Sequence, residues 1–178
     1  PTILPLLREN MLIIKEEFDK RNKKLTFNII EENFILKNAD YWNNLIDLPE
    51  ESLYDVIISN PPYNKMKKEE LESVAMSLVV HGQPNIYFLF MAMSARLLKE
   101  NGEMIFITPR SFTSGAYFRK FREWFFNNVK LTNLHLFVSR ADVFDADKVL
   151  QETIITKAIK TQNPQEFITI TESQNLSI

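Results

Sequence analysis

The sequence predicts an α/β fold with a mostly parallel sheet. Three observations carry this. Short apolar, β-leaning runs alternate with stretches of helical periodicity, which is the pattern of strands laid side by side through helical connections. One run, Tyr54 to Ser59, is apolar nearly without interruption, the form expected of a strand buried on both faces of a parallel sheet. The last two strands, Leu131 to Ser139 and Gln151 to Lys160, are joined only by Arg140 to Leu150. That link is short for a helical crossover, so this pair is expected to be antiparallel.

Taken in order, Leu6, Leu7, Met11, Leu12, Ile14 and Phe18 recur at roughly helical spacing, predicting an amphipathic helix over residues 4–21 that ends near Arg21-Asn22-Lys23-Lys24. Leu25 to Ile30 and Asn33 to Ala39 read as strands, the second running into Asp40-Tyr41-Trp42. Residues 66–80 read as a helix. Asn85 to Lys99 is the clearest helix, with Ile86, Leu89, Phe90, Met93 and Leu97 on one side and Asn101-Gly102 as its stop. A buried strand is expected at Met104 to Thr108 and a helix at Phe112 to Asn127. Phe167 to Ile170 reads as a final edge strand.

Composition bounds the function. The 178 residues make about one domain, and 45% hydrophobic residues suffice for a core. With no cysteine and two separated histidines, disulfides and thiolate metal sites are excluded and no zinc site is expected. No apolar run approaches the ~18 residues that span a bilayer, and Pro1-Thr2-Ile3-Leu4 does not open a signal peptide. No membrane association and a cytoplasmic location are therefore expected. A net charge of −2 leaves nucleic acid open, because phosphate contacts depend on local patches. Lys65, Lys67 and Lys68 form one patch, and Arg110, Arg119, Lys120 and Arg122 another.

The chemistry concentrates in Asn60-Pro61-Pro62-Tyr63, directly after the run ending at Ser59. Each proline fixes its own φ and pushes the preceding residue into extended geometry, so Asn60 and Pro61 are both held extended. The Asn60 side-chain oxygen and the Pro61 carbonyl can then point outward as two rigid acceptors, with the Tyr63 ring beside them. This suits a planar amine. The lone pair of an exocyclic base amine is delocalised into its ring, and two fixed oxygens can draw its hydrogens out of plane without reorganising. Stacking on Tyr63 would hold the base, typically for about 1–3 kcal/mol. The plainer alternative is a proline-rich loop after a buried strand.

Several features now stand in a characteristic order: Asp40 after a strand, Asn60-Pro61-Pro62-Tyr63 after the next, Asn85-Ile86-Tyr87 opening a helix, Gly102 to Pro109 as a strand, then Val143-Phe144. The order resembles the N6-adenine DNA methyltransferases of restriction-modification systems, over about residues 4–160. The resemblance implies a Rossmann-like sheet and S-adenosylmethionine as methyl donor. It implies that Asn60 and the Pro61 carbonyl accept hydrogen bonds from the target amine, that Pro62 sets the turn and that Tyr63 stacks on the base, with Phe144 on the other face. The base would be flipped out of double-stranded DNA. Asp40 would accept a hydrogen bond from the cofactor's adenine, with Tyr41 beside the ring and Phe90 packing from the helix. Arg110 and Lys65 would meet DNA phosphates.

The sequence departs from the family in one respect. The Gly-rich loop after the family's first strand and the acidic residue after its second are not present. The chain is thus expected to be the catalytic part of a methyltransferase domain, truncated at its N-terminus, without a target-recognition domain, and belonging to a larger polypeptide or subunit. Two alternatives remain. The acceptor could be a protein glutamine or an RNA base amine, or the chain could be a non-catalytic DNA-binding or assembly module derived from a methyltransferase.

Overall fold

The computed structural model describes residues 3–137, 153–163 and 167–173. They fall into two compact units, Pro1–Asn33 and Phe34–Ile178. The first contains helix α1 (Ile3–Lys20), as its periodicity predicts. Lys15 pairs with Asp19 and Lys20 with Glu17 along its surface, each at 2.6 Å. Asn22, in the left-handed region at φ 55°, ends the helix while the Phe18 carbonyl accepts from both Arg21 N and Lys23 N. The strand expected at Leu25 to Ile30 does not form. Its side chains alternate between half-buried and exposed, the period that suggested a strand, but alternation specifies an extended backbone and not a ladder partner.

The second unit opens with a further correction. Asn33 to Ala39 is not a strand: α2 (Phe34–Lys37) and α3 (Ala39–Trp42) are short helices. Ile35 is fully buried, and the neighbouring Phe34 ring stacks on Phe90 at 5.2 Å. Two consecutive inward side chains are incompatible with a strand's alternation. Asn38 Nδ2 donates to Phe34 O at 2.8 Å, supporting the helical turn.

Among the described residues, five strands form one sheet in the order β1-β2-β4-β3-β5, where β1 is Tyr54–Ser59, β2 Leu98–Pro109, β3 Lys130–Phe137, β4 Thr153–Ile159 and β5 Thr169–Ser173. β1 runs parallel to β2 and β3 parallel to β5, whereas β4 is antiparallel to both its neighbours. Four strands thus share one direction. The expected antiparallel pair is present, but its second member is wedged between β2 and β3. The edge strand predicted at 167–170 is β5, two residues further on.

β1 corrects an expectation of burial. It is an edge strand of this sheet, and Val56 and Ile58 are 53% and 74% exposed. Only Ile57 and Ser59 face the better-covered side, in register with Met104 and Phe106 of β2. Met104, Phe106 and Thr108 are buried together with their β4 partners Ala158, Thr156 and Ile154.

Between β1 and β2, residues 66–80 are mostly turns around the single helical turn of α4 (Leu71–Ala75). Helix α5 (Ile86–Leu97) is nearly all buried. Its Tyr87 and Phe88 meet Phe112, Phe118 and Phe121, and Phe121 stacks on Phe125 of α6 (Arg119–Asn128) at 4.9 Å. The predicted helix at 112–127 begins later, after 3₁₀ turns at Arg110–Thr113 and Ala116–Phe118. Asn101-Gly102 is not the stop of α5. The helix ends at Leu97, where Lys160 Nζ donates to Arg96 O (3.1 Å) and Leu98 O (2.8 Å). Asn101, at φ 62°, instead lies in the irregularity that shifts the β1–β2 register between Tyr54 and Val56. Among the described residues no helix is long and apolar enough to cross a membrane.

Candidate active site

Asn60-Pro61-Pro62-Tyr63 leaves the end of β1, beside the end of β2, where open α/β sheets characteristically bind ligands. Asn60 and Pro62 are exposed, Pro61 is buried and Tyr63 is half-buried. The turn therefore has an anchored side and an open side. Tyr63 Oη donates toward Asn60 Oδ1 at 2.8 Å and toward Ile107 O of β2 at 3.0 Å. Its ring meets Tyr87 edge-on, with centroids 6.3 Å apart. An amide oxygen has two lone pairs, so the Tyr63 contact leaves Asn60 Oδ1 capacity for a second donor.

The segment after Tyr63 is fastened to the start of α5. Met66 N donates to Pro84 O at 2.9 Å and Ile86 N to Asn64 O at 3.0 Å, with Lys65 opposite Asn85 in an antiparallel bridge. Asn85 has an extended backbone, and its Oδ1 accepts from Tyr87 N as the N-cap of α5, while its Nδ2 donates to Tyr63 O at 3.0 Å. Behind Tyr63, Tyr87 is fully buried and its hydroxyl shares a hydrogen bond with Ser111 Oγ at 3.0 Å. Burial raises both phenols above the ordinary tyrosine range, Tyr87 the more strongly, although its bond to Ser111 opposes the shift. Both hydroxyls therefore stay protonated at neutral pH.

The residues expected at a cofactor lie on two helices. Asp40 is exposed in the first turn of α3 and Tyr41 is half-buried. Arg96 of α5 ties this segment down, with Nε donating to Tyr41 O at 3.3 Å and Nη2 to Asn44 Oδ1 at 2.7 Å. Phe90 is half-buried on α5 against Phe34. The basic patches divide. Arg122 Nη1 donates to Phe112 O (2.9 Å) and Gly115 O (2.7 Å), so it braces the loop after β2. Arg119 pairs with Glu123 at 2.9 Å. Lys120 and Lys68, one from each patch, line a single open groove with Ser73, Ser77 and His81. Arg110 and Lys65 are exposed near the ends of β2 and of the Pro-Pro-Tyr turn. Val143 and Phe144 lie outside the described residues.

The sequence marks Asn85 only as the start of a helix and gives no separate site role to Tyr87 or Ile107, while Ser111 stands out only beside Arg110 as a candidate phosphate neighbour. Asn before an apolar helix is a recognisable cap signal. Its second bond, to Tyr63 O, and the carbonyl of Ile107 depend on tertiary approach and leave no trace in residue type.

Comparison with known proteins gives the family and the fold. Residues 4–144 match the model of the Eco57I restriction-modification methylase. The chain is 35% identical over 145 residues to the type II methyltransferase M.PstI of Providencia stuartii, covering 82% of this chain and 28% of that protein. It is 32% identical over 182 residues to M.BsuBI of Bacillus subtilis, covering 98% of this chain and 34% of that protein. The chain thus spans about a third of these relatives. Its fold is similar to that of a putative class I S-adenosylmethionine-dependent methyltransferase from Listeria monocytogenes, with TM-score 0.57 and 17% identity, covering 71% of this chain and 39% of that one. A structure from a type I restriction-modification system superposes with TM-score 0.62 and 15% identity, covering 84% of this chain and 28% of that one. By the family match across most of its length, the chain belongs to the Eco57I restriction-modification methylase family.

Proposed function

We propose that this chain forms the target-base side of a DNA adenine methyltransferase, part of a larger restriction-modification protein, that transfers a methyl group to N6 of a flipped-out adenine. The observation that carries the reading is Asn60 on an anchored Pro-Pro turn, with the Tyr63 ring fixed beside it by Ile107 O and Tyr87. The Asn60 side-chain oxygen and the Pro61 carbonyl accept the two amine hydrogens and draw them out of the ring plane, which localises the nitrogen lone pair for attack. The Tyr63 ring stacks on the base and offsets part of the few kcal/mol that flipping costs. Once N6 is methylated, its extra proton leaves by way of these oxygens to water.

S-Adenosylmethionine supplies the electrophilic methyl group when bound. The exposed Asp40 carboxylate is an acceptor suited to an adenine amino group, and the half-buried rings of Tyr41 and Phe90 are suited to an adenine face, so the residues present fit that end of the cofactor. Arg110 and Lys65 contact phosphates flanking the flipped nucleotide. The exposed outer edge of β1 supports a further strand pairing there in the larger protein, since open apolar edges are rarely left unpaired.

Radiolabelled methyl transfer by the full-length gene product tests the reading. Label is expected in adenine of duplex DNA, with at least a hundredfold loss in Asn60→Ala, on the scale of removing one preorganised hydrogen-bonding group. Transfer that survives Asn60→Ala would overturn it, as would label appearing in release-factor glutamine or ribosomal RNA and not in DNA.

A further inference from the structure

The Tyr63 hydroxyl has one hydrogen and faces two oxygens, Ile107 O at 3.0 Å and Asn60 Oδ1 at 2.8 Å. A phenol donates one hydrogen bond and accepts others, so in this arrangement one of the two close oxygen pairs has no hydrogen between its members. The two acceptors are not equivalent. Ile107 O belongs to the backbone of β2, which is held in register against Ile155 of β4, and it can only accept. The Asn60 amide can exchange its ends, because oxygen and NH2 have nearly the same size.

A half-turn of that amide places Nδ2 against Tyr63 Oη. The chain of bonds then has a consistent direction: Asn60 Nδ2 donates to Tyr63 Oη, and Tyr63 Oη donates to Ile107 O. Every short contact holds a hydrogen. The half-turn also carries Oδ1 away from Tyr63 to the exposed side of the turn, leaving both of its lone pairs for an incoming donor. Burial keeps the phenol protonated, so it stays a donor to Ile107 and an acceptor for Nδ2 throughout the neutral range.

We propose that the Tyr63 hydroxyl is a positioning group: anchored on Ile107 O, it accepts the Asn60 amide hydrogen and so fixes Asn60 with its oxygen toward the substrate amine. This rests on the reading of Asn60 as the amine acceptor, and it separates two functions within one side chain. The ring of Tyr63 stacks on the base; its oxygen decides which end of Asn60 the base meets.

The test is Y63F in the full-length enzyme, which removes the oxygen and keeps the ring. kcat is expected to fall about tenfold, the effect of one modest hydrogen bond expressed in the transition state. DNA affinity and the fluorescence of 2-aminopurine at the target position, which reports flipping, should change less than twofold. A kcat unchanged or raised overturns the proposal, since it would mean that the hydroxyl only occupies an Asn60 lone pair. N60D supplies the second arm. A carboxylate presents oxygen whichever way it turns, so Y63F should slow the N60D enzyme less than twofold. An equal tenfold loss in that background assigns the hydroxyl to structure alone and also overturns the proposal. If wild type leaves adenine N6 unmethylated, the functional reading fails; if wild type methylates while Y63F is unaffected, only the role of the hydroxyl fails.

Discussion

One side chain, Asn85, joins the Pro-Pro-Tyr turn to the buried helix behind it: its Oδ1 accepts from Tyr87 N at 3.4 Å and its Nδ2 donates to Tyr63 O at 3.0 Å. The cap and the clamp are separable. Asn85→Ala loses both, and should cost about 1–2 kcal/mol, the sum of an N-cap and a modest hydrogen bond. Asn85→Ser keeps a capping oxygen but is too short to reach Tyr63 O. It should lose only the share of that one hydrogen bond, about 0.5–1 kcal/mol, and so fall between wild type and Asn85→Ala in urea midpoint, while kcat for the proposed methyl transfer by the full-length protein falls several-fold. Equal activity of N85S and wild type would show that the Tyr63 carbonyl needs no clamp.

Gly102 is fixed by crowding. A Cβ there would stand 2.9 Å from Lys99 O and 3.0 Å from Tyr54 O, both backbone atoms, while Gly102 O accepts from Lys160 N at 2.9 Å. Backbone on both sides cannot yield as a flexible side chain could. Gly102→Ala should therefore lower stability by roughly 1–3 kcal/mol, the range of overpacked sites. Chemical denaturation measures it, and a neutral result would mean that the β1–β2 register shift is pliable.

Arg122 braces the loop that carries Arg110 and Ser111 away from β2, through Phe112 O and Gly115 O. Arg122→Met keeps much of the stem but removes two charge-assisted bonds, each of the kind worth about 1.5–3 kcal/mol. Hydrogen exchange across residues 110–118 should accelerate in this variant. If Arg122 were instead a phosphate contact, the change would appear as weaker DNA binding with a smaller salt slope, and exchange in the loop would be unaltered.

How much of this was legible in the sequence follows from how local each cause is. Asn60-Pro61-Pro62-Tyr63 was readable because proline restrictions act on neighbouring residues. α1 and α5 were readable because their periodicity persists over several turns. Phe34 to Lys37 misled because four residues cannot separate period 2 from 3.6, and the stacking of Phe34 on Phe90 decided the matter. The wedging of β4 between β2 and β3 is likewise a tertiary choice: the short link from Arg140 to Leu150 implied antiparallel pairing but not which second neighbour β4 would take. Arg122 read as one of a basic cluster because residue type carries charge, whereas its partners are carbonyls contributed by a loop.

The burial of Tyr87 carries a prediction about alkaline stability. Its phenol is raised well above 10 in the folded protein by loss of solvent, partly countered by Ser111, whereas in the unfolded chain it titrates near the ordinary value of about 10. The folded state therefore keeps a proton that the unfolded state has released. The stabilisation is complete below pH 10 and is lost as pH climbs from there through the native pKa. Tyr63 is shifted in the same direction by burial. Lys160 acts oppositely: burial lowers its pKa, so between that lowered value and 10.5 stability rises with pH. Urea midpoints measured from pH 7 to 11.5 should thus hold or rise slightly toward pH 10 and then fall. Tyr87→Phe should cost about 1 kcal/mol at pH 7 for the bond to Ser111, yet show a shallower decline above pH 10 and approach wild type there. A decline as steep as that of wild type would mean that Tyr87 does not govern the alkaline limb. Lys160→Met should remove the rise below pH 10 while leaving the later fall intact, so the two opposing contributions can be measured separately.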